Sequence, residues 1–101
     1  MAVVINAPIP GSTVFMPFTA SGTITGGAPL VVNGSITANG INYPDGQAAA
    51  DANGNWLLTF NQPSGPVASA TLRVSQVGVP TNFATEGITI GPVQIGGGSN
   101  G

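Results

Sequence analysis

The 101-residue chain has no cysteine, no histidine and no lysine. Without cysteine there are no disulfides and no thiolate metal sites, so the fold stands on packing alone. Together the three absences remove most of the side chains that act as general bases or activated nucleophiles near neutral pH. Charge of either sign is scarce. Asp45, Asp51, Arg73 and Glu86 are the whole charged inventory, 4% of residues, against about 25% in an ordinary globular chain. One arginine does not neutralise several phosphates, which argues against nucleic-acid binding. No apolar run approaches the roughly 20 residues of a membrane-spanning helix. The opening MAVVINAPIP has no basic region and meets Pro8 early, so it does not read as a secretory signal peptide. The expectation is either a mature or excised piece, or a product made and used without that export route.

The rest of the composition is not that of a disordered chain, because 42% of the residues are hydrophobic. The surface is then left to Ser, Thr, Asn, Gln, Gly and Ala. Such a neutral polar surface suits crowded assembly, where like-charge repulsion is a cost; a compositional bias of the lineage explains it equally. The length fits one domain, expected over residues 1–95. The ending GGGSNG, residues 96–101, reads as a linker or frayed end.

Period-2 alternation runs through the chain and no stretch carries a helical period. Val3-Val4-Ile5 reads as a first strand. From Val14 to Ile24 the even positions are apolar or small and face inward, with a break or edge expected at Pro17. Gly26-Gly27-Ala28-Pro29 is a turn. Leu30, Val32, Ile36 and Ala38 then share a face, and Asn39-Gly40 closes a hairpin. Ile41 to Tyr43 runs into a turn at Pro44-Asp45-Gly46, and Gln47 to Ala50 forms a brief strand. Trp56, Leu58 and Phe60 share the next inner face, and NQPSGP at 61–66 is a loop. Ala70, Leu72 and Val74 share another inner face. A final strand is expected near Gly87 to Ile95, with a phase slip at Gly91-Pro92 that calls for a bulge. Short strands at spacings of about 8–12 residues predict an all-β sandwich.

The segment INAPIPGSTVFMPFTASGTIT resembles the opening of bacterial immunoglobulin-like domains, through Pro8, Pro10, Gly11, Val14, Pro17 and Ser21-Gly22-Thr23. ADANGNWLLTF is similar to the Asp-x-x-Gly-x-Trp hairpin of tandem bacterial surface repeats of that class. ATLRVSQVG and GITIGPVQI look like the last two strands. The resemblance extends to modules of bacterial surface and spore-germination proteins and of phage virion proteins. It implies an immunoglobulin-like β-sandwich of about seven antiparallel strands. It does not imply one function, because such folds host many roles. The cysteine pair of antibody-type domains is absent.

Three constellations are candidates for chemistry. Asp51, Asn53 and Asn55 occupy the first, third and fifth positions of a calcium loop. The glycine and the bidentate glutamate that such a loop needs at positions six and twelve are replaced by Trp56 and Gln62. The same letters read as a hairpin whose Asn53-Gly54 supplies a type I′ turn, and that reading is preferred. Asp45 and Asp51 are the one carboxylate pair close in sequence, but each sits in ordinary turn chemistry. No catalytic residue, metal or cofactor is therefore expected. Trp56 is in phase with the core, which leaves Tyr43 as the aromatic expected to be exposed and available to a sugar.

Phe15, Val31 and Leu57 fall on the outward phase of their strands and are candidate partner contacts. The expectation is a non-catalytic structural protein assembled with other proteins: a virion component such as a capsid decoration or tail-appendage protein. The alternative is a spacer or adhesion module of a bacterial surface protein, and the third reading is a carbohydrate-binding module for cell-surface glycans.

Overall fold

The computed structural model describes residues 2–27, 30–62 and 66–91, with Asp45 and Pro80 described by backbone alone. Eight strands follow in order: β1 (Ala2–Ala7), β2 (Thr13–Val14), β3 (Phe18–Thr25), β4 (Val31–Ala38), β5 (Ile41–Ala49), β6 (Asn55–Phe60), β7 (Val67–Gln76) and β8 (Val79–Ile90). They form a three-stranded sheet, β1-β3-β6, and a five-stranded sheet, β2-β8-β7-β4-β5. The two sheets pack as a sandwich. All pairings are antiparallel except β2 with β8, which is parallel. Among the described residues, no helix is long and apolar enough to cross a membrane.

The expected inner faces hold. Val14, Met16, Ala20 and Ile24 are buried from the first long alternation; Val32, Ile36 and Ala38 from β4; Trp56, Leu58 and Phe60 from β6; Ala70, Leu72 and Val74 from β7. The break at Pro17 is also present, and it does more than interrupt a strand. β2 belongs to the larger sheet and β3 to the smaller one, so residues 15–17 carry the chain across the sandwich.

Two glycines make room for the aromatic side chains of β6. Gly22 faces Trp56 directly across the β3–β6 ladder, and a β-carbon there would meet the Trp56 ring and the Val4 carbonyl oxygen. Gly34, in the opposite sheet, lies under the Phe60 ring. Phe60 also stacks on Phe18, with ring centroids 5.2 Å apart. The indole N–H is satisfied as well: Trp56 Nε1 donates to the Thr23 carbonyl oxygen at 3.0 Å.

Four expectations are corrected. Pro44-Asp45-Gly46 does not end a strand. Asn33 pairs with Gln47 and Ser35 with Pro44, so Asp45 and Gly46 together oppose Gly34. This is a bulge inside β5, with Gly46 at a φ of 92°. Pro44 is tolerated because β5 is an edge strand. Second, the last strand starts at Val79 and not near Gly87. Polar Asn82 and Glu86 at inward positions hide its apolar alternation. Third, Tyr43 is half-buried and packs against the core, because it stands opposite Ile36 on the inner face of β4–β5.

The fourth correction concerns Asn53-Gly54. A type I′ turn needs positive φ at both central residues. Asn39 and Gly40 meet that requirement at 54° and 78°, but at the second corner only Gly54 does, at 83°. The strands on either side, β5 and β6, lie in different sheets. This corner passes the chain from one sheet to the other. The expected phase slip past Gly91 and the 96–101 tail lie outside the described residues.

Candidate functional site

The Asp51 corner and the neighbouring outer face of the three-stranded sheet enclose a shallow, open depression of about 490 Å³. Asn6, Ser21, Asp51, Asn55, Trp56 and Leu57 contribute to its lining. The corner is built by one side chain. Asp51 Oδ1 accepts the backbone N–H groups of Asn53 and Asn55, each at 2.9 Å. Its main chain closes the loop: Gly54 N–H donates to the Asp51 carbonyl, and Asp51 N–H to the Asn55 carbonyl. Gly54 is required here because its φ is 83° and a β-carbon would run into the Ile24 carbonyl. The Asn55 N–H is the largest cause of a lowered Asp51 pKa; a partial desolvation opposes it, and the remaining hydrogen bonds add to it.

That arrangement gives Asp51 a structural part in the corner. Asp51 Oδ1 is aimed at N–H groups of its own turn. Asn55 is drawn into the same network, its amide donating to Asp51 Oδ2 at 3.4 Å. Among the described residues, no three acidic or histidine side chains gather as a metal site. Asp45 belongs to the bulge inside β5 and Asp51 to the corner past the end of that strand, so the extended backbone of residues 47–49 separates them.

The three contact candidates are not brought together. Leu57 is 65% exposed at the centre of β6, on the outer face of the three-stranded sheet. Phe15, 40% exposed, lies in the crossing between sheets, its ring against Gly91 at the end of β8. Val31 is half-buried on the five-stranded sheet, opposite Ala49. They mark three separate surfaces. Trp56 is 1% exposed and Tyr43 packs on the core, so neither presents a fully open ring to a sugar.

The outer faces answer the question raised by the missing charges. Neighbouring neutral side chains bond to one another across the strands. Thr19 and Thr59 hydroxyls lie 3.2 Å apart. Asn42 donates to Thr37 at 3.2 Å, and Ser75 to Asn33 at 2.7 Å. Arg73 is the one cation, and its guanidinium lies over the exposed Phe83 ring, 4.1 Å from the centroid. Sequence reasoning had no signal for these pairs, because partners such as Asn33 and Ser75 meet only through sheet register.

It also missed a buried polar cluster. Gln76 Nε2 donates to the Gly27 carbonyl at 2.8 Å, and Asn82 Nδ2 donates to Gln76 Oε1 at 2.8 Å. The β7–β8 hairpin is thereby tied to the connection leaving β3, across the two sheets. Glu86 is buried on the same inner face of β8, 9% exposed, and its Oε2 has no hydrogen-bond partner. Burial raises its pKa. No protein family, curated protein or solved structure matches this chain.

Proposed function

We propose that the chain is a non-catalytic, immunoglobulin-like structural module that works by docking into a protein assembly, as a phage virion component such as a capsid decoration or tail-appendage protein. The strand arrangement supports the immunoglobulin-like reading. β1, β3 and β6 group as the A, B and E strands of that architecture do, against β4, β7 and β8 as C, F and G. β5 joins the β4 edge where the variable-type domains add a strand.

The observation that carries the assembly role is the pair of neutral outer faces. Hydroxyl and amide side chains there satisfy one another across the strands, and Arg73 on the five-stranded face is stacked on Phe83, so these faces approach another protein with few charges to strip of water or to meet like charge. The experiment is to purify particles from the source culture and probe them for the chain by mass spectrometry, alongside reading of the flanking genes. Stoichiometric recovery with the particles, next to capsid and portal genes, is the expected result. Recovery only as part of a long, repetitive cell-surface polypeptide overturns the virion role.

One observation favours that second reading. Ala2 pairs with Thr25 at one end of the sandwich, while Ile90 pairs with Val14 and Val67 at the other. The described chain thus enters and leaves at opposite poles, the geometry that lets modules join end to end as spacers.

A further inference from the structure

The sandwich has four sheet edges, and three are guarded. β1 has a bulge between Ile5 and Ala7 and runs into Pro8. β2 is two residues long and covers only Thr89 and Ile90 of β8; the rest of β8 shares that edge, and it carries Pro80 and the inward-facing Glu86. β5 carries Pro44 and the Asp45-Gly46 bulge. Short strands, proline and bulges are the devices by which proteins stop sheet edges from pairing. β6 has none of them. Its sequence, Asn-Trp-Leu-Leu-Thr-Phe, is regular, uncharged and free of glycine and proline.

The backbone pattern tells which groups face outward from this edge. Ile24 N–H donates to the Gly54 carbonyl, and the register continues unbroken to Phe18 opposite Phe60. Antiparallel pairs alternate between bonded and non-bonded. Trp56, Leu58 and Phe60 therefore exchange bonds with β3, and Asn55, Leu57 and Thr59 turn their N–H and C=O groups to the free side. Asp51 already holds both backbone groups of Asn55. Leu57 and Thr59 remain, with no partner strand among the described residues.

We infer that β6 is a self-association edge: a second copy of this chain adds its own β6 antiparallel, about a two-fold axis through Leu58, and joins two three-stranded sheets into one. Leu57 then faces Thr59 of the second copy and Thr59 faces its Leu57, so the outward N–H and C=O groups of both residues are all satisfied. The contact is isologous, as two-fold contacts are. On the outer face the two exposed Leu57 side chains stand diagonally across the new ladder, within reach of each other. Electrostatics favour a copy over a charged partner. Among the described side chains Asp51 is the one charge beside this edge, and the antiparallel arrangement sends the two corners to opposite ends. The Asn55 residues they cap lie about 20 Å apart at ~3.3 Å per residue, well beyond the ~8 Å screening length at physiological salt.

This inference goes beyond the proposed role and holds for either setting. Sedimentation of the purified chain over roughly 10 µM to 1 mM, the range of a small interface, should show a reversible monomer–dimer equilibrium. Leu57→Lys puts a charge on the edge, and Thr59→Pro removes an N–H that β3 does not use. Each should weaken dimerisation at least tenfold while circular dichroism and the melting midpoint of the monomer stay close to the parent. If either variant fails to fold, the cysteine experiment decides. The chain has no native cysteine, so a Leu57→Cys/Thr59→Cys double variant should crosslink between copies under mild oxidation, and Val31→Cys should not. A parent monomeric up to 1 mM, a dimer untouched by folded variants, or equal crosslinking from Val31→Cys overturns the inference. A chain found in particles yet monomeric throughout sinks the edge pairing alone and leaves the virion role standing.

Discussion

Asn82 Nδ2 and Gln76 Oε1 meet at 2.8 Å inside the sandwich, two amides on neighbouring strands in a mainly apolar core whose other buried polar side chain, among the described residues, is Glu86. Gln76 is 2% exposed and hands its own N–H on to the Gly27 carbonyl. The pair therefore satisfies a backbone oxygen of the β3–β4 connection as well as itself. Buried polar clusters of this kind stabilise only when every member is bonded.

Asn82→Ala should lower stability by about 1–3 kcal/mol, the cost of taking a donor from a buried acceptor. Gln76→Leu should cost a similar amount, since it takes the donor from the Gly27 carbonyl and the nearer of two acceptors from Asn82. Chemical denaturation of both single variants and the double variant checks this. The double should cost less than the sum of the singles, because the two amides share one network; strict additivity would show that they act separately.

Gly22→Ala should be among the most damaging small substitutions in the chain. Its methyl group meets both the Trp56 ring and the Val4 carbonyl, and overpacking of this kind costs about 1–3 kcal/mol or more. Trp56 fluorescence should report the displaced indole. Gly40→Ala tests a different effect, because nothing crowds that position and only its positive φ resists a side chain. Its loss should be the smaller of the two and should leave the Trp56 spectrum unchanged.

Asp51→Ala should lower the melting midpoint, since two backbone N–H groups lose their acceptor. Asp51→Asn, which keeps an acceptor oxygen, should lower it less. The folded-state pKa of Asp51 lies below its ordinary value of 3.8. Its contribution is therefore present above that value and lost as pH falls through the folded-state pKa. Adding calcium or a chelator should leave the midpoint unchanged, and a calcium-dependent rise would reopen the metal reading of the corner.

Glu86 behaves in the opposite sense. Burial raises its folded-state pKa above the ordinary 4.5, so the protonated form is the one the fold prefers. The stabilisation is complete below 4.5 and is lost as pH rises through the folded-state pKa. Glu86→Gln should therefore raise the melting midpoint at pH 7 and match the parent near pH 4. Melting curves across that range check the sign; a variant less stable than the parent at pH 7 would show that the carboxylate has a partner worth more than its burial.

Alternation was enough to locate the inner faces of β3, β4, β6 and β7, because side-chain direction repeats every two residues and burial selects one phase. Asn39-Gly40 was equally legible, since few residues accept positive φ. That local chemistry also named Asp51 as a turn residue. What it left open was sheet membership. Pro44-Asp45-Gly46 has the letters of a turn, and only the register of β5 against β4 makes it a bulge. Asn53-Gly54 has the letters of a hairpin, and only the pairing of β6 with β3 makes it a passage between sheets. The early part of β8 was hidden because Asn82 and Glu86 occupy inward positions where apolar residues were sought.

The sequence by itself determined an all-β chain with a neutral surface, no cysteine chemistry and inward aromatic side chains on β6. The tertiary structure alone decided which strands are edges, which edge is bare, and which polar side chains meet. The reason is physical: turn and strand preferences are set by a residue's own backbone and nearest neighbours. An edge is defined by what does not pair with it, and that depends on contacts between residues far apart in the chain.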